Sequence, residues 1–80
     1  MSYWNHRLLA AKHNGETYFQ IHEVYYTNDG VPKSYTEDPI FICGESIKGI
    51  KWQVNRIKEC LKKPVLWAGN KFPLEYKEDE

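Results

Sequence analysis

Two long runs rich in aromatic and aliphatic residues lie near the start of the chain, and one short turn joins them. The runs cover residues 3–12 and 16–26, and His13-Asn14-Gly15 separates them. Asn-Gly is the strongest short-range signal for a β-hairpin, because both central residues of a type I′ turn need a positive φ. The turn fixes the pairing of the two strands, and the pairing assigns each side chain to one of two faces.

The predicted pairing places Leu8 opposite Ile21 and His6 opposite Glu23. One face is mainly apolar, and we expect a helix to cover it as the core: Trp4, Leu8, Ala10, Phe19, Ile21 and Tyr25. The other face is mixed, with Tyr3, Leu9, Tyr18, Val24 and Tyr26 among Asn5, Arg7, Gln20 and His22. It is too apolar for a plain solvent face, so we expect it to contact a partner.

A second turn signal, Thr27-Asn28-Asp29-Gly30, predicts a third antiparallel strand over residues 31–37. Pro32 cannot donate a hydrogen bond to a neighbouring strand, so this strand belongs at a sheet edge. If Asp29-Gly30 forms a two-residue turn, polar residues line up across the sheet in two rows. One row is His6, Glu23 and Thr36, and the other is Arg7, His22 and Glu37.

An amphipathic helix is predicted after Gly44-Glu45-Ser46, with Glu45 or Ser46 at the N-cap and Pro64 after its end. Its apolar residues follow three- and four-residue spacing: Ile47, Ile50, Val54, Ile57 and Leu61. Trp52 points away from this stripe and lies one turn from Arg56, a spacing suited to a cation–π contact. We expect its indole to pack on residues 65–67 or on a neighbouring subunit.

These elements predict an α+β fold in which a three-stranded antiparallel meander packs against one C-terminal amphipathic helix, a βββα two-layer sandwich. We expect residues 1–76 to form a single domain and residues 77–80 a frayed acidic tail. The two cysteines, Cys43 and Cys60, form no CxxC pair, and no secretory segment is recognised. Free thiols in a reducing cytoplasm are therefore expected, with a Cys43–Cys60 disulfide as the alternative.

The charge balance argues against nucleic acid as the main partner, since 11 basic residues offset 11 acidic ones. No apolar run approaches the roughly 20 residues of a membrane span. The three histidines should not converge on a metal, because neighbouring strand positions point to opposite faces. The chain also lacks the glycine-rich, HExxH and GxSxG motifs, and we predict no cofactor and no metal site.

His6 and Glu23 form the one carboxylate–histidine pair that the hairpin brings into contact. Glu23 could orient His6 as a general base, which makes the two residues weak catalytic candidates. The alternative is a structural polar pair that ties two strands together.

We expect the protein to act by binding, as a homodimer or with another protein. The predicted contact residues are Tyr3, Arg7, Tyr18, His22, Tyr26 and Trp52. An inhibitor or antitoxin-like accessory role is the first hypothesis. The alternatives are a single-stranded nucleic-acid binder that stacks bases on the aromatic sheet face, and a small enzyme that uses His6 and Glu23.

Three segments resemble a family of small uncharacterised bacterial proteins. They are Trp-Asn-x-Arg at residues 4–7, Ile-His-Glu-Val-Tyr-Tyr at residues 21–26, and Pro-Val-Leu at residues 64–66. The resemblance spans about residues 4–66 and implies no activity or ligand. The predicted order of elements also resembles the partial double-stranded-RNA-binding fold of HicB-type antitoxins, and a shared fold does not carry a shared function.

Overall fold

The first hairpin has the geometry that its turn residues dictate. In the computed structural model, which describes residues 3–77, β1 spans Tyr3–His13 and β2 spans Glu16–Tyr26. Asn14 and Gly15 have φ angles of 53° and 83°, as a type I′ turn requires. The predicted pairing of β1 with β2 is confirmed along its whole length, including His6 opposite Glu23.

The second turn differs from the predicted two-residue form. The amide of Thr27 donates to the carbonyl of Val31 at 2.9 Å, so the loop contains the three residues 28–30. Gly30 has a φ of 83°, which is typical of the last residue in such a loop. A longer loop by itself would move every later residue to the opposite face of the sheet.

A β-bulge compensates for the extra loop residue. β3 spans Pro32–Tyr35, and its pairing with β2 shifts between Tyr25 and Tyr26. Beyond the bulge Tyr25 lies opposite Ser34, as predicted, and the amide of Thr36 donates to the carbonyl of Glu23 at 3.1 Å. The backbone register that sets Thr36 beside Glu23 is therefore restored in spite of the longer loop, but Thr36 lies just beyond β3 and its hydroxyl is 3.2 Å from Nδ1 of His22 on the other face.

The sheet contains a fourth strand, so the predicted three-stranded meander is only partly correct. β4, Leu66–Trp67, runs parallel to β1, with Leu66 opposite Leu9, and the strand order is β3-β2-β1-β4. The helical segment that precedes β4 returns the chain to the edge of β1 in the same direction, which a parallel pair requires. The result is a curled mixed sheet with one α-helix.

The helix begins where its capping residue predicts. The amide of Gly49 donates to Oγ of Ser46 at 3.0 Å, and α1 spans Ile47–Ile57. A 3₁₀ helix, Lys58–Lys62, continues it almost to Pro64. No residue of α1 is buried. The helix of the predicted sandwich is present, but it does not seal a face of the sheet.

The core lies on the mixed face of the hairpin, which reverses the predicted assignment. Its buried cluster consists of Leu9, Val24, Tyr26 and Leu66, with Tyr35, Ala68 and Phe72 packed against it. Trp4 and Phe19, which were expected inside, are exposed. The pairing was predicted correctly, but the segment after the 3₁₀ helix covers the face that carries more polar groups.

The structure also bears on the predictions about the tail, the membrane spans and the cysteines. Lys77 is exposed, and the rest of the predicted tail, residues 78–80, lies outside the described residues. Within residues 3–77, no helix has the length and apolar character needed to span a bilayer. Both cysteines are free thiols, Cys43 exposed and Cys60 buried.

Candidate functional site

Three of the predicted contact residues lie inside the fold. Arg7 is only 7% exposed, and its guanidinium donates to Oη of Tyr26 at 2.7 Å and to the carbonyl of Pro64 at 2.8 Å. His22 is also buried, and its Nδ1 donates to the carbonyl of Thr36 at 2.9 Å. These bonds satisfy polar groups that would otherwise be costly to bury.

This burial changes two of the sequence predictions. The row of Arg7, His22 and Glu37 does not form as predicted, because β3 ends at Tyr35 and Glu37 borders a cavity on the other side of the sheet. A base-stacking platform that needs Arg7 and Tyr26 on the surface is not available, because the fold buries both side chains.

The other predicted contact residues lie at the surface. Tyr18 is exposed and donates from its hydroxyl to Glu16 at 2.9 Å. Tyr3 is exposed and stacks on Tyr26, with ring centroids 4.7 Å apart. Trp52, at 61% exposure, is the most accessible of the six.

A cavity of about 490 Å³ lies between α1 and the outer face of the hairpin, within the size range of small-molecule sites. Its walls come from β1, β2, the segment after β3, and α1. The side chains important for its chemistry are Trp4, His6, Glu23, Ile40, Trp52, Arg56 and Ile57. Ile40 is held there because its amide donates to the carbonyl of Ile21 at 2.8 Å.

His6 and Glu23 face this cavity, so both remain accessible from it. Burial is the main cause that lowers the pKa of His6, Glu23 opposes the shift, and Arg56 adds to it. Burial therefore favours the uncharged form of this imidazole more than in a free histidine. Glu23 receives a hydrogen bond from the hydroxyl of Tyr25 at 2.9 Å, and this bond raises the pKa of that phenol.

Arg56 is held between two tryptophans at the mouth of the cavity. Its guanidinium carbon lies 5.4 Å from the ring centroid of Trp4 and 5.1 Å from that of Trp52. The predicted cation–π contact with Trp52 is therefore confirmed, and Trp4 adds a second one. Within residues 3–77 the guanidinium forms no hydrogen bond, so its N–H groups are free for an acceptor.

The sequence pointed to part of this cavity and missed the rest. It paired His6 with Glu23 and placed Arg56 beside Trp52, but it did not bring the two pairs together. Trp4 was expected in the core. Nothing in the spacing of the residues along the sequence indicated that α1 would lie beside β1, the strand that carries Trp4. The signal that indicated part of the site was a basic residue, Arg56, one helical turn from the outward Trp52.

The cavity does not contain the groups of a hydrolytic site. Among the described residues, no hydrogen bond joins His6 to Glu23, and the nearby hydroxyl of Thr36 donates to the carbonyl of Asp38 at 2.8 Å. Within residues 3–77, no cluster of three His, Cys, Asp or Glu side chains is placed to hold a metal ion. The arrangement is suited to binding charged and apolar groups.

The outward side of α1 carries a second feature, a row of exposed aliphatic side chains. Ile47 is 76% exposed and Leu61 is 72% exposed, with Val54 also exposed between them. Ile47 and Val54 are seven residues apart on α1, which places them one above the other, and Leu61 follows in the 3₁₀ helix. We call this set the aliphatic row.

Comparison with known proteins gave no match: no family model, no curated protein and no solved structure resembles the chain.

Proposed function

We propose that the protein is a non-enzymatic interaction module that acts as a homodimer. The observation that supports this proposal is the aliphatic row. The side chains of Ile47, Val54 and Leu61 are all exposed to solvent. Within residues 3–77, α1 has an amphipathic sequence and yet no buried residue. An apolar helix stripe without cover is stabilised when a partner removes it from water.

The charges beside the aliphatic row favour an acidic partner surface. Lys51 and Lys58 lie on its flank, and both are exposed. From residue 45 to residue 63 the chain has six basic side chains and two acidic ones. Two copies of α1 packed against each other in antiparallel fashion would bring these lysines together, which like-charge repulsion disfavours.

The same chain supplies the complementary surface. Residues 16–38 carry five acidic side chains and one basic one, in contrast to the helical region. Glu37 and Asp38 are exposed, and Phe41, a few residues further on, is 84% exposed. A second copy therefore offers an apolar anchor next to two carboxylates, and this matches an aliphatic row next to two lysines.

Such a contact is reciprocal in a two-fold dimer. If the aliphatic row of one copy receives Phe41 of the other, symmetry makes the same contact a second time. Phe41 then becomes the central aromatic anchor, the kind of residue that dominates interface energetics. The protein would bind through the segment at residues 37–42 and through α1, and not through the predicted face of Arg7, His22 and Tyr26.

Charge reversal tests this reciprocal arrangement. One variant carries Lys51→Glu and Lys58→Glu, and the other carries Glu37→Lys and Asp38→Lys. Each variant alone has like charges across the contact and should be monomeric at micromolar concentration in light scattering, where the wild type is dimeric. An equimolar mixture restores opposite charges at both contacts and should form a heterodimer.

A matched control separates this contact from a general effect of charge. Lys48→Glu with Lys63→Glu makes the same charge change on another side of the helical segment and should leave the dimer intact. Ile47→Asp should also give a monomer without loss of helix, because an acidic residue in the first turn favours the helix N-terminus. A monomeric wild type, or a mixture that fails to associate, would overturn the proposal.

A further inference from the structure

The cavity beneath α1 has a feature that dimerisation does not use. Besides the carboxylates of Glu37 and Asp38, it contains a cation, Arg56, and an anion, Glu23, that are not paired with each other. Among the described residues the one ion pair is Lys62–Glu59, outside the cavity. Both charges nevertheless lie close enough to His6 to affect its titration. Two opposite charges held apart in one cavity are complementary to a ligand with its own separated charges.

Each charged group keeps free hydrogen-bonding capacity. Arg56 contacts the rings of Trp4 and Trp52 and forms no hydrogen bond within residues 3–77, so its N–H groups can receive a carboxylate in bidentate fashion. One oxygen of Glu23 accepts the Tyr25 hydroxyl. A carboxylate has about four acceptor positions in total, so Glu23 can still accept from an ammonium group.

The remaining wall of the cavity is mixed, with Thr36, Glu37, Asp38 and Gln53 on its polar part and aliphatic side chains on its apolar part. Ile40 and Ile57 line it together with the ring of Trp4. A neutral His6 between the charged groups adds no second cation. We propose that this cavity binds a zwitterionic α-amino acid with an apolar side chain, its carboxylate on Arg56 and its ammonium on Glu23. The side chain then lies against Ile40 and Ile57.

Three probes of one size separate the contributions. L-Phenylalanine carries both charges, 3-phenylpropionate lacks the ammonium, and phenethylamine lacks the carboxylate. In calorimetric titrations the wild type should bind L-phenylalanine, with each truncated probe weaker by about tenfold or more, because each loses one charge-assisted contact. Equal binding of 3-phenylpropionate and L-phenylalanine would overturn the assignment, as would no heat of binding for L-phenylalanine at millimolar concentration.

Two substitutions assign the charges to their residues. Arg56→Gln should weaken L-phenylalanine and 3-phenylpropionate and leave phenethylamine unchanged. Glu23→Gln should weaken L-phenylalanine and phenethylamine and leave 3-phenylpropionate unchanged, and its amide oxygen can still accept the Tyr25 hydroxyl. Lys48→Gln removes a helical cation outside the cavity and should change none of the three. Uniform weakening of all probes by either variant contradicts the proposal.

The inference can be tested apart from the homodimer, although Glu37, Asp38 and Phe41 line the cavity and also belong to the proposed dimer contact. Ile47 does not line the cavity, so the Ile47→Asp variant should bind L-phenylalanine as the wild type does. Loss of binding in that variant would contradict a site contained within one chain.

Discussion

The two faces of the first hairpin are built from similar residues and have opposite fates. On the inner face Arg7, His22 and Tyr26 are buried, and most of their polar groups bond to one another or to backbone carbonyls, although Nε of Arg7 has no partner within residues 3–77. On the outer face His6 is half-buried and borders a cavity, and Tyr25 is half-buried with its hydroxyl bonded to Glu23, which lines that cavity. Residue type alone therefore does not distinguish residues that stabilise the fold from residues that are available to a ligand.

The difference lies in how the charges are satisfied. The guanidinium of Arg7 donates to Tyr26 and to Pro64, so two of its donors already have acceptors. The guanidinium of Arg56 touches two aromatic faces and, within residues 3–77, forms no hydrogen bond. The first arginine holds the fold together, whereas the second is available to a ligand. Paired substitutions on adjacent residues can test this contrast.

The largest effect is expected from a pair of adjacent leucines. Leu9 is 1% exposed in the inner core, whereas Leu8 is half-buried on the outer face. Leu9→Ala should lower the free energy of unfolding by about 3 kcal/mol through lost transfer energy and a new cavity. Leu8→Ala should lower it by about 1 kcal/mol. Urea denaturation of both variants measures the difference, and equal losses would mean that the inner face is not the core.

Adjacent tyrosines give the next test. Tyr26→Phe removes an acceptor from the buried guanidinium of Arg7, and should lower the free energy of unfolding by about 2 kcal/mol, as expected for a hydrogen bond to a charged group. Tyr25→Phe removes a hydroxyl that bonds to Glu23 at a site open to water. Its loss should be no more than about 0.5 kcal/mol.

Urea denaturation of Tyr26→Phe and Tyr25→Phe measures the two losses in the free energy of unfolding. Each variant keeps the aromatic ring, so the comparison isolates the hydroxyl group. If Tyr25→Phe proves the more damaging substitution, the hydrogen bond on the outer face stabilises the fold more than the buried bond to Arg7.

Local rules predicted the parts of the fold that depend on neighbouring residues. Asn14-Gly15 specified the first turn and, through it, every pair between β1 and β2. Ser46 capped the helix as its side chain predicted. The amide of Thr36 also bonds to the carbonyl of Glu23 as the predicted register requires, although this depended on a bulge at Tyr25 and Tyr26 that no local signal indicated.

The choice of the inner face could not be made from the hairpin alone. The apolar count favoured the face of Trp4 and Phe19, but the backbone carbonyls of Pro64 and Thr36 satisfy Arg7 and His22 on the other face. Those carbonyls belong to segments far along the chain or beyond the sheet edge. The cavity was missed for the same reason, because it depends on where α1 lies relative to β1.

The two cysteines extend the comparison to reactivity. Cys60 is buried in the inner region, and burial raises the pKa of its thiol, although Arg7 opposes the shift. Cys43 is exposed. In the native protein at pH 8, Cys43 should react with a thiol-specific reagent more than about tenfold faster than Cys60, because the thiolate is the reactive form and Cys60 needs local opening.

Peptide mapping after brief alkylation measures the two rates separately. The unfolded protein is the control, because both thiols should then react at similar rates. Rapid labelling of Cys60 in the native state would mean that the 3₁₀ helix does not protect the inner face.

The smallest effect concerns His6. Burial lowers the pKa of His6 in the folded state below its unfolded value of 6.5. The unfolded chain therefore binds more protons in the pH window just below 6.5, and stability falls as the pH drops through that window. Water screens this half-buried imidazole, so the fall is shallow.

Urea denaturation between pH 7.5 and pH 5 measures this dependence. The urea midpoint should fall less in His6→Gln than in the wild type, whereas His13→Gln, at the exposed hairpin tip, should retain the wild-type slope. A wild-type slope in His6→Gln would show that His6 is as well hydrated in the cavity as in the unfolded chain, and the neutral imidazole assigned to the ligand site would lose its basis.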